Sequence, residues 1–282
     1  MKNVLLISFL LACTGAFAQH KKSCCEMPIQ KETRALAMNA AFAKSHLEPL
    51  PFHLPEPRGK MVYYKSADGK SASAYEVKGD KESNKFLFVF HEWWGLNDYI
   101  KQEAETMQKE LGDVTVYAID LYDGKVAATV ADAQRYVSDL RDDRCRNIIN
   151  GTIEMVKEKA PNAQIATLGW CMGGTWSMQA ALLAKSNAVA CVMYYGMPEK
   201  DQSKLNNLNC DVLGIFGTED KFINPETVNK FKAQMKTAKK KLIVENYKAD
   251  HAFANPSNPK FNREFAADAY QKSIKFLKAH LK

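Results

Sequence analysis

The sequence predicts an α/β fold with a mostly parallel central sheet and helices on both faces. Short apolar runs bounded by turn residues alternate along the chain with segments that are apolar at helical spacing, as in proteins built from alternating strands and helices. Most of these runs are continuously apolar, which is typical of strands buried on both faces of a parallel sheet. The 282 residues, 46% hydrophobic and 25% charged, suffice for one large globular domain.

The first residues predict a secretory signal peptide. Lys2 precedes an apolar run at 4–12, and Ala16-Phe17-Ala18 supplies an A-x-A site, so cleavage is expected after Ala18. The run is too short to anchor the chain in a bilayer, and no other stretch is long and apolar enough to do so. We therefore expect a periplasmic or secreted protein. A lipoprotein signal ending at Cys13 is the alternative, although Leu11 fits that motif poorly.

Residues 19–59 are predicted to form an N-terminal extension, and residues 60–282 the main domain. One helix is expected over 33–46, and four prolines then enforce an extended path, at positions 49, 51, 55 and 57. Because the extension lies outside the domain, we expect a chain that lacks residues 19–45 to function almost normally.

The main domain begins with two strands of alternating polarity, at 61–65 and 73–77, joined by a turn at Asp68-Gly69. Further strands are predicted at 85–90, 114–119, 164–170, 188–195, 212–216 and 241–247. Helices are predicted at 98–111, 127–159 in at least two pieces, 175–183, 225–239 and 262–281. Gly112 closes the first of these helices, and Asp142-Asp143 opens the longer piece of the second.

The stretch Gly169-x-Cys171-x-Gly173-Gly174 has the pattern of a nucleophile elbow, with cysteine in place of serine. A strand that turns directly into a helix crowds the positions two residues before and after the corner, which favours glycine there. The corner residue is raised above the sheet at a helix N-terminus, where free N–H groups favour a thiolate and a developing oxyanion. A small buried cysteine beside a tight turn is the simpler alternative.

Three further side chains come shortly after predicted strands: Glu92, Asp220 and His251. The carboxyl ends of parallel strands share one edge of the sheet, where active sites form. The chain order Cys171, Asp220, His251 is also the order of nucleophile, acid and histidine in α/β-hydrolases. The sequence thus predicts an α/β-hydrolase fold with a catalytic triad, although each of these loop residues alone has a structural alternative as a cap or an exposed side chain.

Five stretches between about residue 60 and the C-terminus resemble one family. They are His91-Glu92-Trp93-Trp94-Gly95-Leu96-Asn97, Asp120-Leu121-Tyr122, Gly169-Trp170-Cys171-Met172-Gly173-Gly174, Gly217-Thr218-Glu219-Asp220 and His251-Ala252-Phe253-Ala254. Together they resemble the dienelactone hydrolase family. The resemblance implies a triad in which Cys171 attacks, His251 holds the thiolate and later activates water, and Asp220 orients His251.

The resemblance also implies the parts around the triad. Backbone N–H groups of Trp93 and Met172 would form the oxyanion hole. Glu92 would be the family's additional carboxylate, which in relatives contacts the resting thiol and helps to activate it when substrate binds; a carboxylate held by backbone N–H groups is the structural alternative. The implied reaction is hydrolysis of a small ester or lactone through a thioester, without cofactor or metal. The expected pocket walls are Trp94, Tyr122, Trp170 and Phe253.

One position departs from the family pattern. Dienelactone-specific members carry an arginine that pairs with the substrate carboxylate where this chain has Asn255, and a neutral amide cannot replace a bidentate guanidinium. The resemblance therefore predicts the reaction class but leaves the substrate open. Another cation could come from one of the arginines at 135, 141, 144 and 146, but nothing in the sequence places them in the pocket.

Composition narrows the remaining functions. The net charge of +7 comes largely from lysine runs without interleaved aromatic residues, so we expect no nucleic-acid partner. We expect a monomer that acts on a small molecule. Cys24-Cys25 could pair, bind metal or be incidental. A thiol redox or sensing protein that uses Cys171 with Cys24 or Cys25 is the alternative function, although the chain lacks a C-x-x-C motif.

Overall fold

The computed structural model describes residues 28–259 and 261–282, with side chains from residue 31 onward. The predicted signal peptide, Cys13 and Cys24-Cys25 lie outside the described residues. None of the helices in the described part of the chain combines the length and the apolar character that crossing a membrane requires.

A single mixed sheet forms the centre of the described structure. Its strands are β1 Lys60–Lys65, β2 Ser71–Val77, β3 Lys85–Phe90, β4 Thr115–Ile119, β5 Gln164–Trp170, β6 Ala188–Tyr194, β7 Asp211–Gly217 and β8 Leu242–Tyr247. They lie side by side in the order β1-β2-β4-β3-β5-β6-β7-β8. The pairs β1/β2 and β2/β4 are antiparallel, and the remaining pairs are parallel. The structure therefore confirms the predicted α/β fold and its mostly parallel sheet.

Helices cover the sheet. They are α1 Pro28–Ala37, α2 Ala40–Ser45, α3 Asp98–Leu111, α4 Val130–Asp139, α5 Asp142–Lys159, α6 Met172–Ala184, α7 Gln202–Asn206, α8 Pro225–Thr237 and α9 Arg263–His280. Asparagine caps begin three of the long helices, because the side chains of Asn97, Asn224 and Asn262 each accept a hydrogen bond from a backbone N–H in the first turn. Helix α6 is buried almost throughout and contacts β3, β5 and β6, as the helix after a nucleophile elbow must.

The N-terminal extension differs from its prediction in one respect. The single helix expected over 33–46 is wrong, because α1 ends at Ala37 and α2 starts at Ala40. Asn39 breaks the helix: its side-chain oxygen accepts hydrogen bonds from the N–H groups of Ala41 and Phe42, at 2.9 and 3.1 Å. An asparagine side chain that captures these N–H groups starts a new helix at that point.

Residues 28–59, here called the N-terminal segment, pack onto the domain. Arg34 donates a hydrogen bond to the carbonyl oxygen of Leu140 at 2.7 Å, and Glu105 accepts one from the N–H of Arg58 at 2.7 Å. Phe42 is 2% exposed and belongs to the main core. Because the segment is packed in this way, the expectation that residues 19–45 can be lost without consequence no longer follows.

Candidate active site

The turn between β5 and α6 holds Cys171 in a strained conformation. Its φ is +54° and its ψ is −119°, which is outside the regions that side chains other than glycine adopt freely. A Cβ atom on Gly169 would collide with the carbonyl oxygen of Gly173, and a Cβ atom on Gly173 would collide with that of Phe90. The Cys171 side chain makes no capping hydrogen bond to α6. The turn therefore has the geometry of a nucleophile elbow.

Cys171, His251 and Asp220 form one chain of contacts. His251 Nε2 lies 3.2 Å from Cys171 Sγ, and its Nδ1 lies 2.7 Å from Asp220 Oδ2. The other oxygen of Asp220 accepts hydrogen bonds from the N–H groups of Phe222 and Ile223, at 2.8 and 2.9 Å. All three members are buried. The three residues that the sequence singled out thus lie in the order a nucleophile, a base and its orienting acid require.

Electrostatics in this chain favour an ion pair. Burial opposes ionisation of Asp220, but His251 and the N–H groups of residues 222 and 223 outweigh it and hold its pKa below the usual value. Burial would lower the pKa of His251, but Asp220 and Cys171 together raise it well above the ordinary value. An imidazolium beside the sulfur stabilises a thiolate, which is the nucleophilic form of cysteine.

Trp93 and Met172, the residues expected to supply the oxyanion hole, lie close to each other. Met172 is the first residue of α6 and directly follows Cys171, so its N–H is among those that a helix leaves unpaired. Trp93 lies in the loop after β3 and is 1% exposed. The hydroxyl of Tyr122 contacts both residues, with its oxygen 3.2 Å from the carbonyl oxygen of Trp93 and 3.5 Å from the sulfur of Met172. Tyr122 therefore fixes the two residues relative to each other.

Glu92 is buried near His251 and does not share a hydrogen bond with the thiol. Its Oε1 accepts a hydrogen bond from the Tyr195 hydroxyl at 3.2 Å, and its Oε2 accepts one from the Asn255 amide. Burial raises the pKa of Glu92 to about 7, against the opposing effects of His251, Tyr195 and Asn255. The hydrogen bond recorded for the Cys171 sulfur is to His251. In this structure Asn255 therefore binds the extra carboxylate, and no hydrogen bond joins Glu92 to the resting thiol.

The space beside the thiol is small. A cavity of about 20 Å³ adjoins Cys171 and His251, which is room for about one water molecule. Leu36, Ala37 and Phe42 of the N-terminal segment form one wall. A larger groove of about 660 Å³ is lined by Arg141 and Arg144 among others, but it includes no triad residue. We therefore place the candidate site at the small cavity beside Cys171 and His251, and not at the larger groove.

The aromatic residues expected to line the pocket lie elsewhere in this closed arrangement. Trp94 and Trp170 line a second cavity of about 10 Å³ beside Glu92 and Asn255. The Tyr122 hydroxyl donates a hydrogen bond to the carbonyl oxygen of Trp93, and Phe253 packs against Tyr247, with ring centroids 5.2 Å apart. The expected pocket walls therefore stay a prediction. The residues that line the cavity beside Cys171 come from the N-terminal segment, from α4 at Val137 and from the loops around Met197 and Ile223. The lining of this cavity depends on long-range packing of the N-terminal segment, which no local sequence pattern predicts.

His46 is a site residue that no pattern in the sequence singled out. Its Nδ1 lies 2.8 Å from the carbonyl oxygen of Phe42, and its ring centroid lies 5.3 Å from that of His251. Its Nε2 is buried without a hydrogen-bond partner among the described residues. Burial, helped by the charge of His251, lowers the pKa of His46 to about 3. A neutral imidazole thus lies next to the triad.

Comparisons with known proteins identify the family of this chain. The sequence profile of the dienelactone hydrolase family matches residues 72–281. A protein of Aquifex aeolicus that is provisionally named a carboxymethylenebutenolidase is 26% identical over 232 residues, which cover 79% of this chain and 100% of that protein. The carboxymethylenebutenolidase of Pseudomonas sp. strain P51 is 30% identical over 119 residues, or 40% of this chain and 47% of that protein.

A solved structure supports the same fold. A Klebsiella pneumoniae protein, provisionally described as a dienelactone hydrolase, superposes with a TM-score of 0.64 at 20% identity, over 77% of this chain and 98% of that chain. At that identity the likeness is one of fold alone, whereas the family profile covers most of the chain. The chain therefore belongs to the dienelactone hydrolase family, which confirms the hydrolase and the α/β-hydrolase fold expected from its sequence.

Proposed function

We propose that this protein is a cysteine-dependent hydrolase that cleaves small esters or lactones through a thioester on Cys171. The observation that supports this proposal best is the chain of contacts from Cys171 through His251 to Asp220, at a strained elbow. Membership of the dienelactone hydrolase family supports the reaction class. The names of the Aquifex and Pseudomonas relatives point to the same type of bond.

In the proposed first step, the Cys171 sulfur attacks the carbonyl carbon of the substrate. A carbon–sulfur bond forms, and the carbonyl electrons move to the oxygen, which the N–H groups of Trp93 and Met172 stabilise. When the carbonyl re-forms, the alkoxide leaves and takes a proton from His251 Nε2. In a lactone this alkoxide remains attached to the acyl group as a hydroxyl.

In the second step, water enters and His251 Nε2 accepts one of its protons. The hydroxide attacks the thioester carbon, the carbon–sulfur bond breaks, and the thiolate returns to its contact with His251. The product is a carboxylic acid, which releases its proton to solvent and leaves as a carboxylate. Asp220 keeps the imidazole oriented throughout and stabilises its cationic form, because Asp220 remains ionised in its hydrogen-bonded pocket.

Glu92 is proposed as a positioning residue behind the site. Tyr195 and Asn255 fix its two oxygens, and its raised pKa of about 7 keeps much of it neutral near pH 7. A neutral carboxyl does not compete with the thiolate for the positive charge on His251. Because Asn255 is neutral and its amide is bonded to Glu92, a substrate carboxylate finds no cation at this position, which favours uncharged acyl groups.

The substrate must enter where the N-terminal segment now lies. A cavity of about 20 Å³ holds a water molecule but no ester. We propose that α1 and α2 move aside to admit the substrate and return while the site is at rest. A covered thiol is protected from oxidation. This suits the export that we propose from the signal-peptide pattern of residues 1–18, in a mature monomer that begins at Gln19.

Hydrolysis of a small panel tests the proposed function. The mature protein and its Cys171→Ala variant are compared on a dienelactone and on short p-nitrophenyl esters. We expect turnover by the wild type, more on the neutral esters than on the dienelactone, and none by the variant. Equal turnover by both proteins would show that Cys171 is not the nucleophile. The redox alternative is not supported: the free cysteines in the described residues are all buried, and Cys24-Cys25 lie outside them.

A further inference from the structure

A second histidine places three metal-binding atoms around one point in the site. His46 Nε2, Cys171 Sγ and His251 Nε2 all lie within 4.8 Å of one another, and all three residues are buried. We propose that these three side chains form an inhibitory binding site for a zinc-class divalent ion, which captures the nucleophile while the N-terminal segment is closed. The proposal assigns His46, which has no part in the hydrolytic steps above.

The orientation of the two imidazoles supports this proposal. His46 Nδ1 faces the carbonyl oxygen of Phe42, which can only accept a hydrogen bond, so Nδ1 carries the proton and Nε2 presents a lone pair. His251 Nδ1 faces the Asp220 carboxylate in the same way. Metal-binding histidines almost always donate their second N–H to a carbonyl or a carboxylate, because that contact fixes the tautomer and the ring. Both rings are therefore prepared to bind a metal through Nε2.

The buried Nε2 of His46 also needs an explanation. It has no hydrogen-bond partner among the described residues, and leaving a buried polar atom unpaired is unfavourable. A metal ion shared with Cys171 and His251 would satisfy it. The small cavity that adjoins these two residues has room for one water molecule, which would complete a tetrahedral set of three protein ligands and one water.

Distances and charges fit a zinc ion. Tetrahedral coordination at about 2.0–2.3 Å separates the ligand atoms by roughly 3.3–3.7 Å. His251 Nε2 and Cys171 Sγ are already 3.2 Å apart. The distances from His46 Nε2 to these two atoms are at most 4.8 Å, so each would have to shorten by no more than about 1–1.5 Å. One thiolate and two imidazoles are ligands that zinc prefers. The thiolate and Asp220 together supply two negative charges that balance the ion.

Binding would stop hydrolysis by a balanced exchange. A zinc–sulfur bond forms, the dissociable proton shared by Cys171 and His251 leaves to solvent, and the metal keeps its oxidation state. The sulfur and His251 Nε2 are then both occupied, so neither can act on a substrate. Because His46 lies directly after α2, the same ion would hold the N-terminal segment closed. A chelator reverses the inhibition.

The test measures metal binding itself. Metal-free mature protein is titrated with Zn²⁺ by calorimetry, and with Co²⁺ by its thiolate charge-transfer absorption. We expect one ion per chain in the wild type, and an affinity at least about 100-fold weaker in His46→Gln, since disturbing only the groups that support a metal's ligands already costs 10–100-fold. The matched control is His53→Gln, a histidine in the same segment whose side chain is 93% exposed and pairs with Asp98. The titrations are repeated with Cys24 and Cys25 changed to serine.

The outcomes separate this proposal from the proposed function. Equal affinities in wild type and His46→Gln, or no binding by the wild type, would overturn the site. Tight binding that needs His46 and Cys171, in a protein that hydrolyses no ester, would support the site although the proposed function fails. If His46→Gln does not fold, the wild type still decides the matter: Zn²⁺ must protect Cys171 from alkylation, and full reactivity at saturating Zn²⁺ would refute the proposal. Undiminished ester turnover by a zinc-loaded enzyme would refute the inhibitory role.

Discussion

Phe42 is the apolar anchor that holds the N-terminal segment over the site, and its removal should expose the thiol. It is the buried residue of α2, and it is 2% exposed. Its ring centroid lies 4.1 Å from that of His46, 4.9 Å from Phe222, 5.3 Å from His251 and 5.5 Å from Trp93. A six-residue helix is not stable without such packing. We therefore expect Phe42→Ala to release α2 while the sheet remains folded.

The expected size of the effect follows from the buried ring. Truncation of a buried phenylalanine costs about 3–5 kcal/mol. If about 3 kcal/mol of this is lost from the closed segment alone, the equilibrium for opening shifts roughly 100-fold, at 1.4 kcal/mol per tenfold change. When opening and closing are faster than the reaction that detects them, the reaction rate follows this equilibrium. The alkylation rate of Cys171 should therefore rise about 100-fold.

Alkylation with iodoacetamide, followed by peptide mass spectrometry, measures this rate. Cys145, Cys191 and Cys210 are buried in the core and serve as internal controls. Leu50→Ala is the matched control variant, because Leu50 is in the same segment but 49% exposed. An unchanged rate at Cys171 in Phe42→Ala would refute the anchoring role. An equal rise at all four cysteines would show that the variant unfolds as a whole.

Two further substitutions test the charges of the site. Glu92→Gln should raise the free energy of unfolding more at pH 8 than at pH 4.5, because the pKa of Glu92 in the folded protein is about 7 and exceeds the ordinary value of 4.5. Ionisation of Glu92 therefore destabilises the native state increasingly as the pH rises from 4.5 to 7, and fully above pH 7. The destabilisation reaches up to about 3 kcal/mol, at 1.36 kcal/mol per pKa unit. Urea unfolding at both pH values measures it, and an identical gain at both would contradict the raised pKa. His251→Ala should abolish ester turnover while the far-ultraviolet circular dichroism spectrum stays native, and wild-type turnover by this variant would exclude His251 as the base.

The parts of this protein that could be predicted from sequence are those with local steric or order requirements. The elbow around Cys171 could be predicted because Gly169 and Gly173 occupy positions where any Cβ atom would collide with the backbone. The triad could be predicted because parallel strands bring their carboxyl ends to one edge of the sheet. This places Asp220 and His251 near Cys171 although they are distant in sequence.

Other features depend on contacts that no local pattern records. Phe42 and His46 pack against His251, which is about 200 positions away in the sequence. A contact over that distance cannot be predicted from the local pattern of the extension. Asn39 could have been recognised as a helix cap, but the surrounding alanines favour one continuous helix. The hydrogen bonds of Glu92 could not be predicted either, since the sequence identifies Asn255 only as the residue in place of an arginine.

The central claim is that Cys171 carries the acyl group. The most direct measurement mixes the mature protein with p-nitrophenyl acetate, quenches the reaction with acid within the first turnover, and maps the acetyl group by peptide mass spectrometry. We expect an acetyl thioester on the peptide that contains Cys171, and neither adduct nor turnover in Cys171→Ala. Steady release of product without an adduct on Cys171, together with undiminished turnover by the alanine variant, would contradict the proposed mechanism.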